Sequence, residues 1–468
     1  MSAVSPLILE DIPNTAGLSA ELLRRYQAAC PRYTSYPTAD RFHDLDPSLD
    51  KPWENLASVR DLSLYVHLPF CRSLCYFCAC NKVVTREYAL AANYLEYVIK
   101  EAKLYKDRLH NATVTQFHIG GGTPNFLRNE DLSRLVGALD EVFDLKNVGQ
   151  RDYSIELDPR GLEIDTLETL RELGFNRLSF GVQDFNDDVQ HAVNRICSKE
   201  QLDTLVKAAR KLGFESISFD LILGLPLQTL ETLKHTIEEV IGMKPDRIAL
   251  YHYAHLPQRF KAQRLIEANI VPNTTEKILM MSAAVEQLDK AGYQSIGMDH
   301  FALPDDSLAK AANSGQLHRN FQGYTTLPAD ALIGIGASAI SYTGAGYWQN
   351  HRRLPAYYKA LDSSSCAVER MRLLTEDDKV RQRVIMDLMC SQKLDKDEVS
   401  ANFNIDFDGY FATEIERLTP LVEDGLVLIN KTSIQITEKG HWFNRQVATV
   451  FDKYLSADQN NAIYSKTF

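Results

Sequence analysis

The sequence predicts an α/β protein built on a partial or complete (β/α) barrel, with an N-terminal arm and a small C-terminal, mostly helical, winged-helix-like domain. Three observations predict it. From about residue 62, short runs rich in β-branched and aromatic residues alternate with longer stretches of helical periodicity. Residues 1–60 show little periodicity, and beyond about 375 the pattern turns helical before closing on a strand pair. With 468 residues the chain exceeds one ordinary domain. The expected division is an arm at 1–60, a barrel domain at 61–345 and a C-terminal domain at 346–468.

Taken in order, the arm carries scattered Pro, Asp and Ser and reads as an irregular segment laid over the barrel. Strands are expected at 62–70, 113–120, 153–158, 177–183, 217–224 and 247–254, and helices at 86–106, 131–143, 162–173, 200–212 and 230–241. Six such units in roughly 195 residues make most of a barrel whose eight-unit form takes about 250. Segments 293–301 and 331–340 read as further strands, which raises the count to seven or eight. Near the C-terminus, two strands flank an Asn430-Lys431 turn.

Composition narrows the function. Hydrophobic residues make up 45% and charged residues 24%, as in a globular protein. No basic segment followed by an apolar core opens the chain, and no stretch approaches the ~20 apolar residues that span a bilayer. A cytoplasmic monomer without a membrane partner is expected. A net charge of −11, with Glu414, Glu416, Glu423 and Asp424 around the winged-helix-like segment, argues against nucleic acid. An anionic substrate then needs a locally basic pocket, for which Arg32 and Arg319 are candidates.

Of eight cysteines, Cys71, Cys75, Cys78 and Cys80 cluster, while Cys30, Cys197, Cys366 and Cys390 stand apart. Cys197 reads as a small apolar residue. In a large cytosolic chain such clustering suggests metal, not disulfides. Cys71, Cys75 and Cys78 follow the first strand at C-x3-C-x2-C. Thiolates suit iron–sulfur or zinc, and a cubane cluster held by three of them leaves one iron open. That iron can chelate S-adenosylmethionine, and an electron from the cluster then releases a 5′-deoxyadenosyl radical. A zinc site, or a closed cluster that also uses Cys80, satisfies the spacing too. His118-Ile-Gly120-Gly121-Gly122-Thr123-Pro124 leaves the second strand, where glycines permit close backbone approach. Polar residues Glu156, Asp158, Gln183, Asp220 and Tyr253 fall on or near later strands, whose carboxyl ends carry barrel active sites. His67, His118 and His300 read as core histidines and stay outside the metal set.

These motifs resemble the radical S-adenosylmethionine superfamily. Within it, Arg32-Tyr-Thr-Ser-Tyr-Pro-Thr-Ala39, Cys71 to Cys80 with Asn81-Lys82, residues 174–184 and His318-Arg-Asn-Phe-Gln-Gly-Tyr-Thr-Thr326 resemble the oxygen-independent coproporphyrinogen III oxidases over nearly the whole chain. The resemblance implies a barrel of the radical S-adenosylmethionine type. It also implies conversion of coproporphyrinogen III to protoporphyrinogen IX in haem biosynthesis, with one 4Fe-4S cluster and two S-adenosylmethionine molecules. By the same resemblance Cys71, Cys75 and Cys78 match the metal ligands. Tyr65, Phe77, Gly121, Gly122, Thr123, Glu156, Gln183, Arg195, Asp220, Ala254, Phe321, Gln322 and Ile340 match cofactor-binding positions, and Cys80, Tyr65, Glu156 and Gln322 catalytic ones. A reductant such as flavodoxin or ferredoxin and an unknown final electron acceptor are implied as partners. Rival functions are a haem chaperone of the same superfamily, a four-cysteine electron carrier and a winged-helix regulator.

Overall fold

The computed structural model describes residues 20–455 apart from 47, 55, 147, 148, 150, 364 and 365. Residues 1–19 of the expected arm and 456–468 of the expected C-terminal domain lie outside the described residues. Six parallel strands run in sequence order: β1 (Asp61–Leu68), β2 (Thr113–Gly121), β3 (Asp152–Leu157), β4 (Arg177–Gln183), β5 (Ser216–Leu223) and β6 (Arg247–His252). Between them lie α1 (Tyr88–Lys103), α2 (Asn129–Phe143), α3 (Ile164–Glu172), α4 (Lys199–Lys211) and α5 (Leu230–Met243).

Alternation on the strands decides where the core sits. On β1, Leu62, Leu64, Val66 and Leu68 are buried in the main apolar core, to which α1 contributes Ala91, Tyr94, Leu95 and Val98. Each such leucine contributes ~1.5–3 kcal/mol by leaving water. On other strands, His118, Ser154, Glu156, Ser179, Ser218 and Asp220 line a cavity inside the curved sheet. The concave face is therefore polar, and the apolar layer lies outside it, under the helices. Local signals set the helix ends: Thr229 and Thr232 form a reciprocal capping box on α5, and α2 stops at Asp144 in the left-handed conformation.

Two expected strands divide. The 293–301 segment becomes a hairpin of β7 (Gln294–Gly297) and β8 (His300–Ala302), because Met298 turns at φ 45°; β8 then pairs antiparallel with β6. The 331–340 segment breaks at Gly336, φ 103°. Its first half is β9 (Ala331–Ile335), parallel beside β1, and Ile340 opens β10 (Ile340–Thr343), which folds back antiparallel. The sheet continues through β11 (Gly346–Asn350) and β12 (Val368–Leu373) to the arm's short strand His43–Asp44. It ends there and at β7, so the barrel is partial and open. Strands β11 and β12 stay with the sheet although they lie past the expected 345/346 boundary.

The C-terminal segment opens with α6 (Glu376–Cys390), started by a capping box between Thr375 and Asp378. Beyond it, Val427–Ile429 and Ser433–Ile436 form the expected pair around residues 430–432, joined on the other side by Lys393–Asp395. Leu22, Tyr33 and Tyr36 of the arm share one apolar cluster with Val384, Leu388, Phe411 and Phe451, so the arm seals this segment to the sheet.

Candidate active site

Past β1 the chain turns at Pro69, and Phe70–Cys71 pairs parallel with Val83–Val84, folding residues 72–82 into a closed loop. The loop brings Cys71, Cys75, Cys78 and Cys80 to one cavity of about 240 Å³ at the carboxyl ends of the strands. Cys71 and Cys75 are buried, Cys78 is half-buried and Cys80 is exposed. Thr123 Oγ1 donates to Cys71 Sγ at 3.5 Å, and Arg195 and Arg160 approach Cys75 Sγ at 3.5 and 3.6 Å. Burial pushes the Cys71 thiol up to about 11. A hydrogen bond with Cys80, opposed by burial and aided by the Lys82 ammonium, lowers Cys78 to about 6. The same contact with Cys78 drives Cys80 well above the usual thiol range.

Among the described residues, no three His, Cys, Asp or Glu groups gather closely enough to hold a single metal ion. Three thiols lining one cavity suit a polynuclear cluster with one thiolate per iron. The soft thiolate donors, with the cations of Arg160, Arg195 and Lys82 lining the same cavity, fit such an anionic group.

The glycine run fixes the second wall. Gly121 has φ 118°, and a Cβ there would lie 2.6 Å from the His67 ring; at Gly122 it would lie 2.6 Å from the Pro69 carbonyl. Without side chains the loop after β2 packs onto the loop after β1. Gly122 and Thr123 N–H groups then donate to Leu68 and Phe70 carbonyls at 2.8 and 2.9 Å, which carries Thr123 to Cys71.

A polar network borders the cavity. Glu156 accepts from Gly121 N–H at 3.0 Å and meets His118 Nε2 at 3.4 Å; against the effect of burial, these contacts hold its carboxyl below the usual value. Asp220 is pushed up to about 7 by burial and by Glu156, and accepts from Ser179 Oγ at 3.1 Å. Arg195 donates to the Gly181 carbonyl at 2.5 Å and reaches Asp158 at 3.3 Å. Although burial opposes it, Arg195 and Arg160 keep the Asp158 carboxyl low.

Of the expected positions, Phe77, Gly121, Gly122, Thr123, Glu156, Gln183, Arg195 and Asp220 line the cysteine cavity, and Tyr65, Ala254, Phe321, Gln322 and Ile340 do not. Tyr65 stacks on His118 with ring centres 5.9 Å apart and shares a 2.9 Å hydrogen bond with His67. Gln322 lines an adjoining cavity of about 150 Å³ together with Glu156, Asp220 and His118. Its buried Nε2 finds no hydrogen-bond partner among the described residues. Phe321 borders a larger cavity of about 970 Å³ and meets Tyr347 edge-on. Ala254 follows β6, and Ile340 pairs with Gln349. His67 and His118 are satisfied by protein groups, through Asn81 O and Ser154 Oγ as well as those named above.

Arg32 is ion-paired with Asp299 and lies over Tyr251, while Arg319 lies over Tyr324. Arg160, Lys82 and Tyr251 also line the cysteine cavity and were absent from the expected set. The Asn81-Lys82 pair beside the cysteines was a signal for Lys82. A lone arginine two residues after Asp158 carries none.

The sequence matches the Radical SAM superfamily over residues 65–240 and the HemN C-terminal domain over 374–443. The oxygen-independent coproporphyrinogen III oxidase of Pseudomonas aeruginosa is 44% identical over 450 residues, covering 94% of this chain and 97% of that one. The chain belongs to the oxygen-independent coproporphyrinogen III oxidase family. The Salmonella typhimurium member of that family is 45% identical over 439 residues, 93% of this chain and 95% of its own. A solved structure of coproporphyrinogen III oxidase (HemN) from Escherichia coli, described as a radical SAM enzyme, superposes with a TM-score of 0.87 at 43% identity. That comparison covers 92% of this chain and all of the other. In this member of the oxidase family the superfamily match runs from within β1 into α5 and takes in the three cysteines and the glycine run. The C-terminal match begins one residue past β12.

Proposed function

We propose that the chain decarboxylates coproporphyrinogen III to protoporphyrinogen IX without oxygen, using one 4Fe-4S cluster and two S-adenosylmethionine molecules. The observation that carries this reading is the convergence of Cys71, Cys75, Cys78, the glycine run and Glu156 on one cavity. When bound there, cluster and cofactor supply an electron and a 5′-deoxyadenosyl radical that takes hydrogen from a propionate β-carbon; loss of carbon dioxide and one electron leaves the vinyl group.

Cys71, Cys75 and Cys78 are the residues that would hold the cluster. Arg160 and Arg195 balance negative charge at Cys75, and the Thr123 hydroxyl donates a hydrogen bond to Cys71. Gly121 and Gly122 let backbone approach the methionine end of the first S-adenosylmethionine, while Glu156, Gln183, Asp220 and Phe77 form the walls that orient it. Tyr65, Ala254 and Ile340 complete the surrounding shell. Gln322 Nε2, buried without a hydrogen-bond partner among the described residues, fits a polar group of the second molecule, with Phe321 next to it in the chain. The exposure of Cys80 at the cavity supports a role for it toward substrate. A flavodoxin- or ferredoxin-type reductant delivers the electron, and an unidentified acceptor takes the last one. The protein acts as a cytoplasmic monomer with neither nucleic acid nor membrane as partner. No described helix is long and apolar enough to cross a membrane. We draw the C-terminal domain from residue 374.

An anaerobic assay with reconstituted protein, dithionite, S-adenosylmethionine and coproporphyrinogen III, read by porphyrin chromatography, tests the reading. Protoporphyrinogen IX is expected. Unchanged porphyrin with haem retained through purification would make the chain a chaperone, and absence of S-adenosylmethionine cleavage would make it an electron carrier.

A further inference from the structure

A second cleft, of about 400 Å³, opens between arm residues 31–40, Asn81 and the region around β11, and Arg32, Arg259, Arg352 and Arg370 line it. Its one lining carboxylate, Asp40, is engaged by Arg41 at 3.2 Å. Arg32 is neutralised by Asp299, and Arg370 donates to the Phe42 carbonyl. Arg352 and Arg259 are exposed, and among the described residues Arg352 makes no ion pair through its side chain. A cationic cleft in a chain of net charge −11 concentrates an anion locally.

The cleft and the cysteine cavity share a wall. Cys80 lines the cavity, and the next residue, Asn81, lines the cleft. Asn81 Nδ2 donates to the Arg352 carbonyl at 3.0 Å, and Asn81 O meets His67 Nε2 at 2.9 Å, so the wall is fixed at both faces.

We infer that this cleft holds carboxylates of the tetrapyrrole, with Arg352 and Arg259 gripping propionates that are not reacting while a reacting one enters past Cys80. The inference rests on the proposed decarboxylation. Arginine matches a carboxylate through two parallel hydrogen bonds, and a substrate with four carboxylates can leave some outside the reaction cavity. The other carboxylate at hand is that of the methionine moiety of the second S-adenosylmethionine, so the test separates the two.

Arg352→Ala, Arg259→Ala and the double variant, full-length and reconstituted, would be compared with wild type for KM and kcat toward coproporphyrinogen III and for S-adenosylmethionine bound per cluster. Both side chains are exposed, so folding is retained. KM is expected to rise at least about fivefold in each single variant and further in the double, with the loss falling on KM and S-adenosylmethionine stoichiometry unchanged. Added salt should raise KM in the wild type and do so less in the double variant. An unchanged KM in the double variant overturns the inference. So does a loss of bound S-adenosylmethionine with porphyrin KM preserved, which would assign the cleft to the cofactor's carboxylate. A wild type that converts no porphyrin would instead defeat the functional reading beneath it.

Discussion

At Gly121 the left-handed backbone and the His67 ring 2.6 Å from the position of a Cβ leave no room for any other residue. Gly121→Ala should cost about 1–3 kcal/mol of stability and weaken S-adenosylmethionine binding, since strain and a displaced imidazole both reach the cavity wall. Gly137→Ala, in the middle of α2 with nothing within 4 Å, should stabilise by about 0.5–1 kcal/mol and serves as the control in thermal melts. At the cysteines, replacing Cys71, Cys75 or Cys78 by Ser should remove the cluster, and Cys80→Ser should keep it. Iron content and electron paramagnetic resonance decide this, and equal loss in all four would mean a closed cluster. The cysteines and glycines were legible in the sequence because their chemistry needs local spacing. Arg160 was not: it becomes part of the cavity only when the loop after β3 meets the loop after β1, which no pattern along the chain records.

Helix α1 carries a second buried feature at Glu101, whose carboxylate accepts from Gly336 N–H at 2.8 Å, Tyr357 Oη at 2.6 Å and Asn350 Nδ2 at 2.6 Å. Burial nevertheless pushes it up to about 7 from 4.5. The folded state therefore holds a proton that the unfolded chain has released. Its stabilising contribution is fully present below about pH 4.5 and is lost as pH rises through about 7. Over that window the wild type should lose on the order of 3 kcal/mol that Glu101→Gln does not, seen as a flatter melting-temperature profile in the variant. A parallel profile would show that Glu101 stays ionised in the fold. The βα alternation that supplies α1 and its neighbours was legible because period 2 and period 3.6 differ within a few residues. The breaks at Met298 and Gly336 were not, since hydrophobic content continues through both turns and only their backbone angles reveal them.

Across the whole molecule, the arm joins the sheet to the C-terminal segment. Tyr36 is fully buried in the apolar cluster between them, and Tyr33 Oη donates to Asp452 at 3.0 Å. Tyr36→Ala should cost about 3–5 kcal/mol, as for other large aromatics truncated in a core, and should lower the denaturation midpoint of the whole chain. A midpoint within error of wild type would mean that the arm is an appendage. In sequence the arm shows only aperiodicity, because the partners of its tyrosines lie more than 300 residues away. The open barrel was likewise beyond reach of a linear reading, since β9 returns to the β1 edge after more than 200 residues. The most direct test of radical decarboxylation at the three-cysteine cavity counts products of one anaerobic turnover experiment. One 5′-deoxyadenosine and one carbon dioxide should appear per vinyl group, two of each per protoporphyrinogen IX, and none with Cys71→Ser protein. Vinyl formation without S-adenosylmethionine, or at an equal rate in the Cys71→Ser variant, would contradict it.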